Sequence, residues 1–203
     1  PPYLSTHLEA RIEFFPELAP YQHQNHPLVQ RVLKAHFVAA VQEVKAQLNI
    51  PLIVENFPYY TWWWNFRWGS EPQFITEICQ ETDCGFLLDI AHARCSSWHM
   101  GRDLMEYIQE LPLKRLREIH LGGVRQRGVE GIRDTHTALN EEDYQLLEWL
   151  LSRTDPDTVT IEYGGMPDYL INLERRQEPI ERNNPLELRQ MIARVRSIVG
   201  VLS

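Results

Sequence analysis

Short apolar runs alternate with longer amphipathic stretches along this chain of 203 residues. The runs are rich in Val, Ile and Leu without a regular apolar–polar alternation, which is typical of parallel strands buried on both faces. They predict strands near residues 3–9, 52–56, 86–91, 116–121 and 159–163. Because amphipathic stretches separate the strands, the pattern predicts an α/β fold with a parallel sheet.

The amphipathic stretches predict helices at residues 29–48, 72–81, 104–111, 141–152 and 186–199. Ser70 and Asn140 are candidate N-caps for the second and fourth of these helices. Residues 166–185 are polar and rich in proline and arginine, so we predict a long loop there. The length suits one domain over residues 1–203.

The strand ends carry the candidate chemistry. A TIM barrel builds its active site at the carboxyl ends of its parallel strands. Only five strands are predicted here, whereas a full barrel has eight. We therefore expect a TIM-barrel (β/α)8-like fold that lacks the first strands, with an open sheet edge that a homodimer would cover.

Carboxylates and imidazoles at the ends of apolar strands are costly to bury unless they are compensated. The candidate metal ligands are His7, Glu55, Asp89, His92, His120, Asp134, His136 and Glu162. The spacing of Asp89 and His92 at one strand end lets both reach one ion, and Asp134 and His136 point the same way on an extended segment. Nitrogen and oxygen donors without cysteine suit iron, manganese or zinc, and their number indicates more than one ion.

Composition narrows the function classes. Hydrophobic residues make up 43% and charged residues 24%, which is ordinary for a globular protein. The net charge of −8 argues against nucleic acid as a partner. No apolar run approaches the roughly 20 residues of a membrane span. The three cysteines are odd in number, so we expect a reducing cytoplasm rather than a disulfide framework.

An aromatic segment at residues 59–68 directly follows Glu55 and Asn56. It is interpreted as a hydrophobic lid on the barrel rim, with a substrate wall, a partner interface or base stacking as alternatives. Arg133 and its neighbours in the loop before Asp134 are either solvated or bind an anionic group of the substrate. Cys95 is interpreted as a buried, inert thiol.

The order of the motifs resembles the multinuclear non-heme iron-dependent oxidative enzymes, a TIM-barrel family long described as a domain of unknown function. The matching segments are Ser5-Thr6-His7-Leu8, Glu55-Asn56, Gly85-Phe86-Leu87-Leu88-Asp89, Trp98-His99-Met100-Gly101, Glu118-Ile119-His120-Leu121-Gly122-Gly123, Asp134-Thr135-His136 and Thr160-Ile161-Glu162-Tyr163. Together they cover most of the chain.

The resemblance implies two or three bound irons, oxidation of a cysteine-containing peptide by O2, and a partner protein that delivers the substrate. By resemblance, the iron ligands are His7, Glu55, Asp89, His120, Asp134, His136 and Glu162. His99 matches a histidine of the family, and we take His99 and Arg133 as the candidate catalytic residues. Two features depart from the family: His92 stands where it has asparagine, and its earlier histidine–glycine motif precedes the start of this chain.

Two alternatives stay open at this point. Endonuclease IV and other xylose-isomerase-like barrels carry an Asp-x-x-His pair, which Asp89 and His92 match, so the chain is alternatively a zinc or manganese hydrolase or isomerase. The remaining alternative is a degenerate barrel without catalysis that binds a partner through its aromatic segment.

Overall fold

A computed structural model describes residues 2–164 and 184–202 of the chain. Its strands, in chain order, are β1 (Leu4–His7), β2 (Leu52–Glu55), β3 (Gly85–Asp89), β4 (Leu116–Leu121), β5 (Gly123–Arg127), β6 (Gly131–Thr137) and β7 (Thr158–Ile161). Five of them form one sheet in the order β1-β2-β3-β4-β7, in which every neighbouring pair is parallel. These are the five strands that the apolar runs predict, and the α/β prediction is confirmed.

The helices lie mainly in the connections between these strands. They are α1 (Pro27–Gln47), α2 (Pro72–Thr82), α3 (Ile90–Met100), α4 (Leu104–Glu110), α5 (Glu141–Leu151) and α6 (Pro185–Leu202). All except α3 were predicted from their amphipathic spacing. The predicted loop lies outside the described residues except for its last two positions, where Pro185 begins α6.

The two predicted helix caps had different outcomes. Asn140 caps α5 in a capping box with Asp143, as expected for a helix that begins with acidic residues. Ser70 does not cap α2, because Glu71 occupies the N-cap position and its side chain accepts no hydrogen bond there. Pro72 at the first helical position lacks an N–H group, which leaves one donor fewer for a cap to satisfy.

The sheet is strongly curved. Its edge strands are β1 and β7, which a flat sheet would hold about 19 Å apart at about 4.8 Å per strand. Yet the Tyr3 hydroxyl, directly before β1, donates a hydrogen bond of 3.1 Å to Thr158 Oγ1 on β7. The five strands therefore bend around a common interior in the manner of part of a TIM barrel.

Alternate residues of each strand face opposite sides of the sheet. On the outer side Val54, Phe86 and Ile119 belong to the main hydrophobic core, which also includes residues of α1 and α2. The positions between them point into the curve of the sheet. This alternation assigns the strand-end acids and histidines to the concave side.

A β-hairpin covers part of this concave side. Strands β5 and β6 pair antiparallel, so Arg125 and Arg133 lie opposite one another in a two-stranded sheet. This corrects the expectation that the arginines before Asp134 lie in an irregular loop. Gly131 at the start of β6 packs against α3, because a Cβ atom there would lie only 2.0 Å from the Trp98 ring.

Candidate metal centre

Side chains from four neighbouring strands meet at the carboxyl ends of the sheet. The pairing register places His7 beside Glu55 and Asp89 beside His120. Glu162 follows directly after β7, and its backbone N–H donates to the Leu121 carbonyl. The sheet therefore gathers five of the predicted ligands through strand alternation alone.

Glu55 lies at the centre of the cluster. Its Oε1 atom is 3.1 Å from His7 Nε2, 3.3 Å from His92 Nδ1 and 4.0 Å from His120 Nδ1. Burial opposes ionisation of this carboxyl, yet the bonds from His7 and His92 prevail and lower the pKa of Glu55 to about 2. Glu55 is therefore an anion at neutral pH, as a metal ligand must be.

His92 reaches the cluster from a helix, which corrects its predicted position at a strand end. Asp89 is the N-cap of α3, and its Oδ1 atom accepts a hydrogen bond of 2.7 Å from the His92 backbone N–H. The His92 Nδ1 atom lies 2.8 Å from the Asn56 carbonyl oxygen, which only accepts hydrogen bonds. Nδ1 therefore carries a proton, and in the neutral ring the lone pair lies on Nε2, which faces Asp134 Oδ2 at 3.4 Å.

Asn56 holds Asp89 and His92 together. Its side-chain nitrogen donates to the Asp89 carbonyl oxygen, and its side-chain oxygen accepts from the Asp89 N–H, both at 2.9 Å. Such outer contacts fix the orientation of residues that face a metal site.

Asp134 and His136 come from the hairpin. Asp134 Oδ2 lies 3.0 Å from His136 Nε2, so the two side chains meet as predicted. The prediction that Asp134 and His136 lie on an extended segment is wrong, because His136 has a left-handed backbone with φ of 47°. Its N–H donates to Asp134 Oδ1 at 3.2 Å. A non-glycine residue in this region stores about 1–3 kcal/mol of strain, which the surrounding structure must offset.

His120 lies between two carboxylates. Its Nδ1 atom is 3.0 Å from Glu162 Oε1, and its Nε2 atom is 3.2 Å from Glu118 Oε1. Burial disfavours the charged ring, but Glu162, Glu55 and Asp89 outweigh it and raise the pKa of His120 to about 9. The close approach of His120 Nδ1 lowers the pKa of Glu162.

Two further histidines of the cluster have raised pKa values, and one carboxyl is an exception to the lowered values of Glu55 and Glu162. The hydrogen bond to Asp134 raises the pKa of His136. Burial is outweighed at His92, whose pKa rises well above 6.5 because Asp89, Asp134 and Glu55 surround it. The exception is Asp89, where burial raises the pKa to about 6. In the absence of a cation, protons thus balance much of the negative charge.

Two atoms in the cluster, Asp89 Oδ2 and His120 Nδ1, are buried without a hydrogen-bond partner in the part of the chain that the structure describes. The unpartnered Asp89 Oδ2 atom is the more costly of the two if it belongs to a carboxylate. Glu55, Asp89 and His120 each offer one ligand atom, all within 4.8 Å of one another, and His7, Glu55 and His92 do the same. A cation would satisfy this oxygen, so the residues present fit a metal site with nitrogen and oxygen ligands.

His99 and Arg133 lie beside the cluster. His99 on α3 contacts the Ile132 carbonyl oxygen through Nε2 at 3.1 Å, and burial lowers its pKa. Arg133 on β6 pairs with Glu130 at 2.6 Å and lies 4.1 Å above the Trp62 ring. Among the described residues, the side-chain hydrogen bonds and ion pairs of His99 and Arg133 go to Thr61, Ile132 and Glu130 rather than to a predicted metal ligand.

The aromatic segment forms a stacked wall between β2 and the hairpin. Tyr60 stacks with Trp62 and Trp63, with ring centroids 5.0 and 5.3 Å apart. The Tyr60 hydroxyl accepts from the Asp134 N–H at 3.2 Å and donates to Cys95 Sγ at 3.5 Å. Burial raises the pKa of Cys95 to about 12, which agrees with an inert thiol. Trp62 and Trp64 are exposed, so this wall joins the cluster to the surface.

Three residues beside the cluster were not identified from the sequence as site residues: Asn56, Tyr60 and Glu118. A signal for Glu118 was available, since it precedes His120 by two positions on a strand and must share its face. Tyr60 gave no such signal, because its contact with Asp134 joins residues 74 positions apart.

A curved parallel α/β sheet with carboxylates and imidazoles gathered at its carboxyl ends defines a TIM-barrel-type fold with a candidate metal centre. The sequence model of a family described as RiPP precursor modification enzyme MbnB/TglH/ChrH matches residues 12–178, and the chain belongs to this family. The family resemblance found in the motif order is thereby confirmed.

Curated relatives are named only as UPF0276 proteins. That of Bordetella pertussis is 33% identical over 134 residues, which are 63% of this chain and 45% of the relative. That of Acaryochloris marina is 31% identical over 186 residues, or 88% of this chain and 63% of the relative. A third, from Vibrio vulnificus, is 29% identical over 172 residues, or 79% and 58%. The chain thus spans about half to two thirds of the length of these relatives.

None of the described helices combines the length and the apolar character needed to cross a bilayer.

Proposed function

We propose that this chain carries the metal-binding part of an enzyme that oxidises a cysteine-containing peptide with O2, using two or three iron ions. Membership of a family of peptide-modifying enzymes supports the substrate class. The observation that supports a metal is the buried Asp89 Oδ2 atom, which has no hydrogen-bond partner among the described residues and lies in a cluster of acids and histidines. Zinc or manganese is the alternative metal.

The proposed ligands are the eight predicted residues: His7, Glu55, Asp89, His92, His120, Asp134, His136 and Glu162. Iron held by them would supply one-electron redox chemistry and reduction of O2. Glu55 and Asp134 enter the site as anions, since their neighbouring histidines lower both pKa values. The histidines give up protons to become ligands.

The surrounding residues control orientation and access. Asn56 holds Asp89 and His92 in place, while burial of Glu55, Asp89 and His92 excludes water from one side of the cluster. We propose that the aromatic wall receives the peptide and that Arg133 at its edge contacts an anionic group of it. His99 is proposed to act by holding β6, because its Nε2–H group faces the Ile132 carbonyl oxygen.

Several finer expectations stay predictions. They are a partner protein that delivers the peptide, a homodimer, a cytoplasmic location and the absence of a nucleic-acid partner. The first rests on the family resemblance, and the last on the net charge of −8.

The experiment is metal analysis of protein purified with and without air, followed by anaerobic loading with Fe(II). We expect about two to three irons per chain. On exposure to air, addition of a cysteine peptide should give a thiolate-to-iron charge-transfer band, and a peptide with serine in place of cysteine should not. Glu162→Gln should lower the iron content, whereas Glu142→Gln, which changes an exposed carboxylate paired with Arg94, should not.

A zinc or manganese hydrolase or isomerase is the second candidate. Its specific support is His92, which forms the Asp-x-x-His pair of those barrels together with Asp89. The His92 Nε2 atom also faces Asp134. Bound zinc alone, with hydrolysis of abasic DNA or turnover of a sugar, would favour this candidate over the iron enzyme. A chain that binds no metal under any loading would leave only the non-catalytic barrel.

A further inference from the structure

Glu118 is a buried carboxylate on β4 that lies beside the proposed ligands and is not one of them. It precedes His120 by two residues on β4, so both side chains face the concave side. Its Oε1 atom accepts a hydrogen bond of 2.6 Å from Thr160 Oγ1 on β7 and lies 3.2 Å from His120 Nε2. A buried carboxylate requires such partners.

The two nitrogens of His120 have different surroundings. Nε2 faces Glu118, whereas Nδ1 lies 3.0 Å from Glu162 Oε1 and 4.0 Å from Glu55 Oε1, both proposed ligands. Nδ1 is also buried without an aligned hydrogen bond to any residue within 2–164 and 184–202. The neutral ring has one N–H group, and a hydrogen bond at one nitrogen decides which nitrogen keeps its lone pair.

We propose that Glu118 is a positioning residue that holds the proton of His120 on Nε2 and thereby presents the Nδ1 lone pair to the metal. The metal part of this inference rests on the proposed function. Thr160 in turn holds Glu118 by donating its hydroxyl proton to the same carboxylate oxygen. A carboxylate–histidine pair of this kind orients the ring and makes the nitrogen at the metal more basic.

Three substitutions separate this role from its alternatives. Glu118→Leu removes the acceptor, Glu118→Gln keeps an oxygen acceptor without charge, and Thr160→Val removes the hydroxyl that holds Glu118. Thr160→Ser is the matched control, since it keeps the hydroxyl. The measurements are Co2+ affinity by competition with a chelator, and the His120 tautomer by 15N NMR of the metal-free protein above the pKa of about 9.

We expect Glu118→Leu to weaken Co2+ binding about 10- to 100-fold and to lose the Nε2–H preference of His120. Thr160→Val should show the same change to a smaller extent. Glu118→Gln should keep the Nε2–H preference and lose less Co2+ affinity than Glu118→Leu, and Thr160→Ser should stay close to the original protein. Equal loss of Co2+ affinity in Glu118→Gln and Glu118→Leu would indicate that Glu118 binds the metal directly through its charge. That result would overturn the proposal. An unchanged tautomer in Glu118→Leu would overturn it as well.

Failure of the proposed metal site and failure of the proposed role of Glu118 give different results. If the original chain binds no Co2+, the proposed metal site fails, while the NMR tautomer still tests whether Glu118 holds the Nε2 proton. If Glu118→Leu does not fold, the Thr160→Val and Thr160→Ser pair decides: equal affinities and equal tautomers for the two would overturn the proposal.

Discussion

At the scale of single residues, alternation along the strands explains most of the cluster. Residues two apart on a strand share a face, so the acids and histidines at the strand ends reach one interior. The sequence therefore predicted which strand residues belong together. It did not predict the left-handed backbone of His136, because the hydrogen bond from its N–H to Asp134 depends on the local path of the hairpin.

Asp89 is both a buried carboxyl and a proposed metal ligand. Its burial destabilises the metal-free fold, whereas its carboxylate is needed to bind the metal. A carboxyl whose pKa is raised in the folded state destabilises the fold once the pH exceeds its ordinary pKa of 3.8. The destabilisation is complete once the pH exceeds the folded-state pKa of about 6. At a higher pH, Asp89→Asn should therefore stabilise the metal-free protein by about 1–3 kcal/mol while lowering its metal content. Urea unfolding in the presence of a chelator, together with metal analysis, measures both effects.

The control for that change is Asp89→Ala. Asparagine keeps the side-chain oxygen that caps α3, whereas alanine loses it, at a cost of about 1 kcal/mol. If the asparagine and alanine variants are equally destabilised, burial of the Asp89 charge is not the dominant cost.

At the scale of elements, the strands and amphipathic helices were predictable, whereas α3 and the hairpin were not. Helix α3 is buried nearly all round, from Ile90 to His99, so it has no polar face whose period would indicate a helix. Strands β5 and β6 contain glycine and arginine rather than apolar runs, so they were interpreted as a loop. Both elements contribute proposed ligands, namely His92, Asp134 and His136.

Gly131 gives a prediction about how the hairpin is held. It has a φ of 79°, and a Cβ atom there would lie 2.0 Å from the Trp98 ring. Gly131→Ala should destabilise the protein by about 2 kcal/mol or more and lower its metal affinity, because β6 must shift away from α3. Thermal unfolding and chelator competition measure the two effects.

Gly128 at the hairpin tip is the matched control. Its φ is also positive, at 45°, but a Cβ atom there would meet nothing within 4 Å. Gly128→Ala should therefore cost only the backbone strain of about 1 kcal/mol and leave metal affinity unchanged. A comparable loss of affinity in both variants would mean that the contact with Trp98 does not position β6.

At the scale of the whole molecule, the histidines of the metal-free cluster bind protons that a metal must displace. A histidine whose pKa is raised in the folded state stabilises the fold fully below pH 6.5. The stabilisation by His120 is lost as the pH rises through its folded-state pKa of about 9. His92 and His136 have raised pKa values as well. The free energy of unfolding of the metal-free protein should therefore fall across this pH range.

The metal-loaded protein should show the opposite trend. Ions bind neutral imidazole, so the stabilisation by added Fe(II) without air should grow over the same range, and binding should release protons. Unfolding with and without chelator tests the trend, and a pH indicator measures the protons. Metal-free stability that stays level or rises over this range would show that these histidines are not charged in the fold.

The amino-acid sequence alone was enough to predict the parallel α/β class, the five strands and the acids and histidines that stand at their ends. These properties follow from local patterns: apolar runs, helical spacing and the donor atoms of each side chain. The way in which His92, Asp134 and His136 join the strand residues, and the contact of Glu118 with His120, became evident only in three dimensions. Those contacts depend on the curvature of the sheet, on a buried helix and on a hairpin, all of which arise from packing between segments distant in sequence.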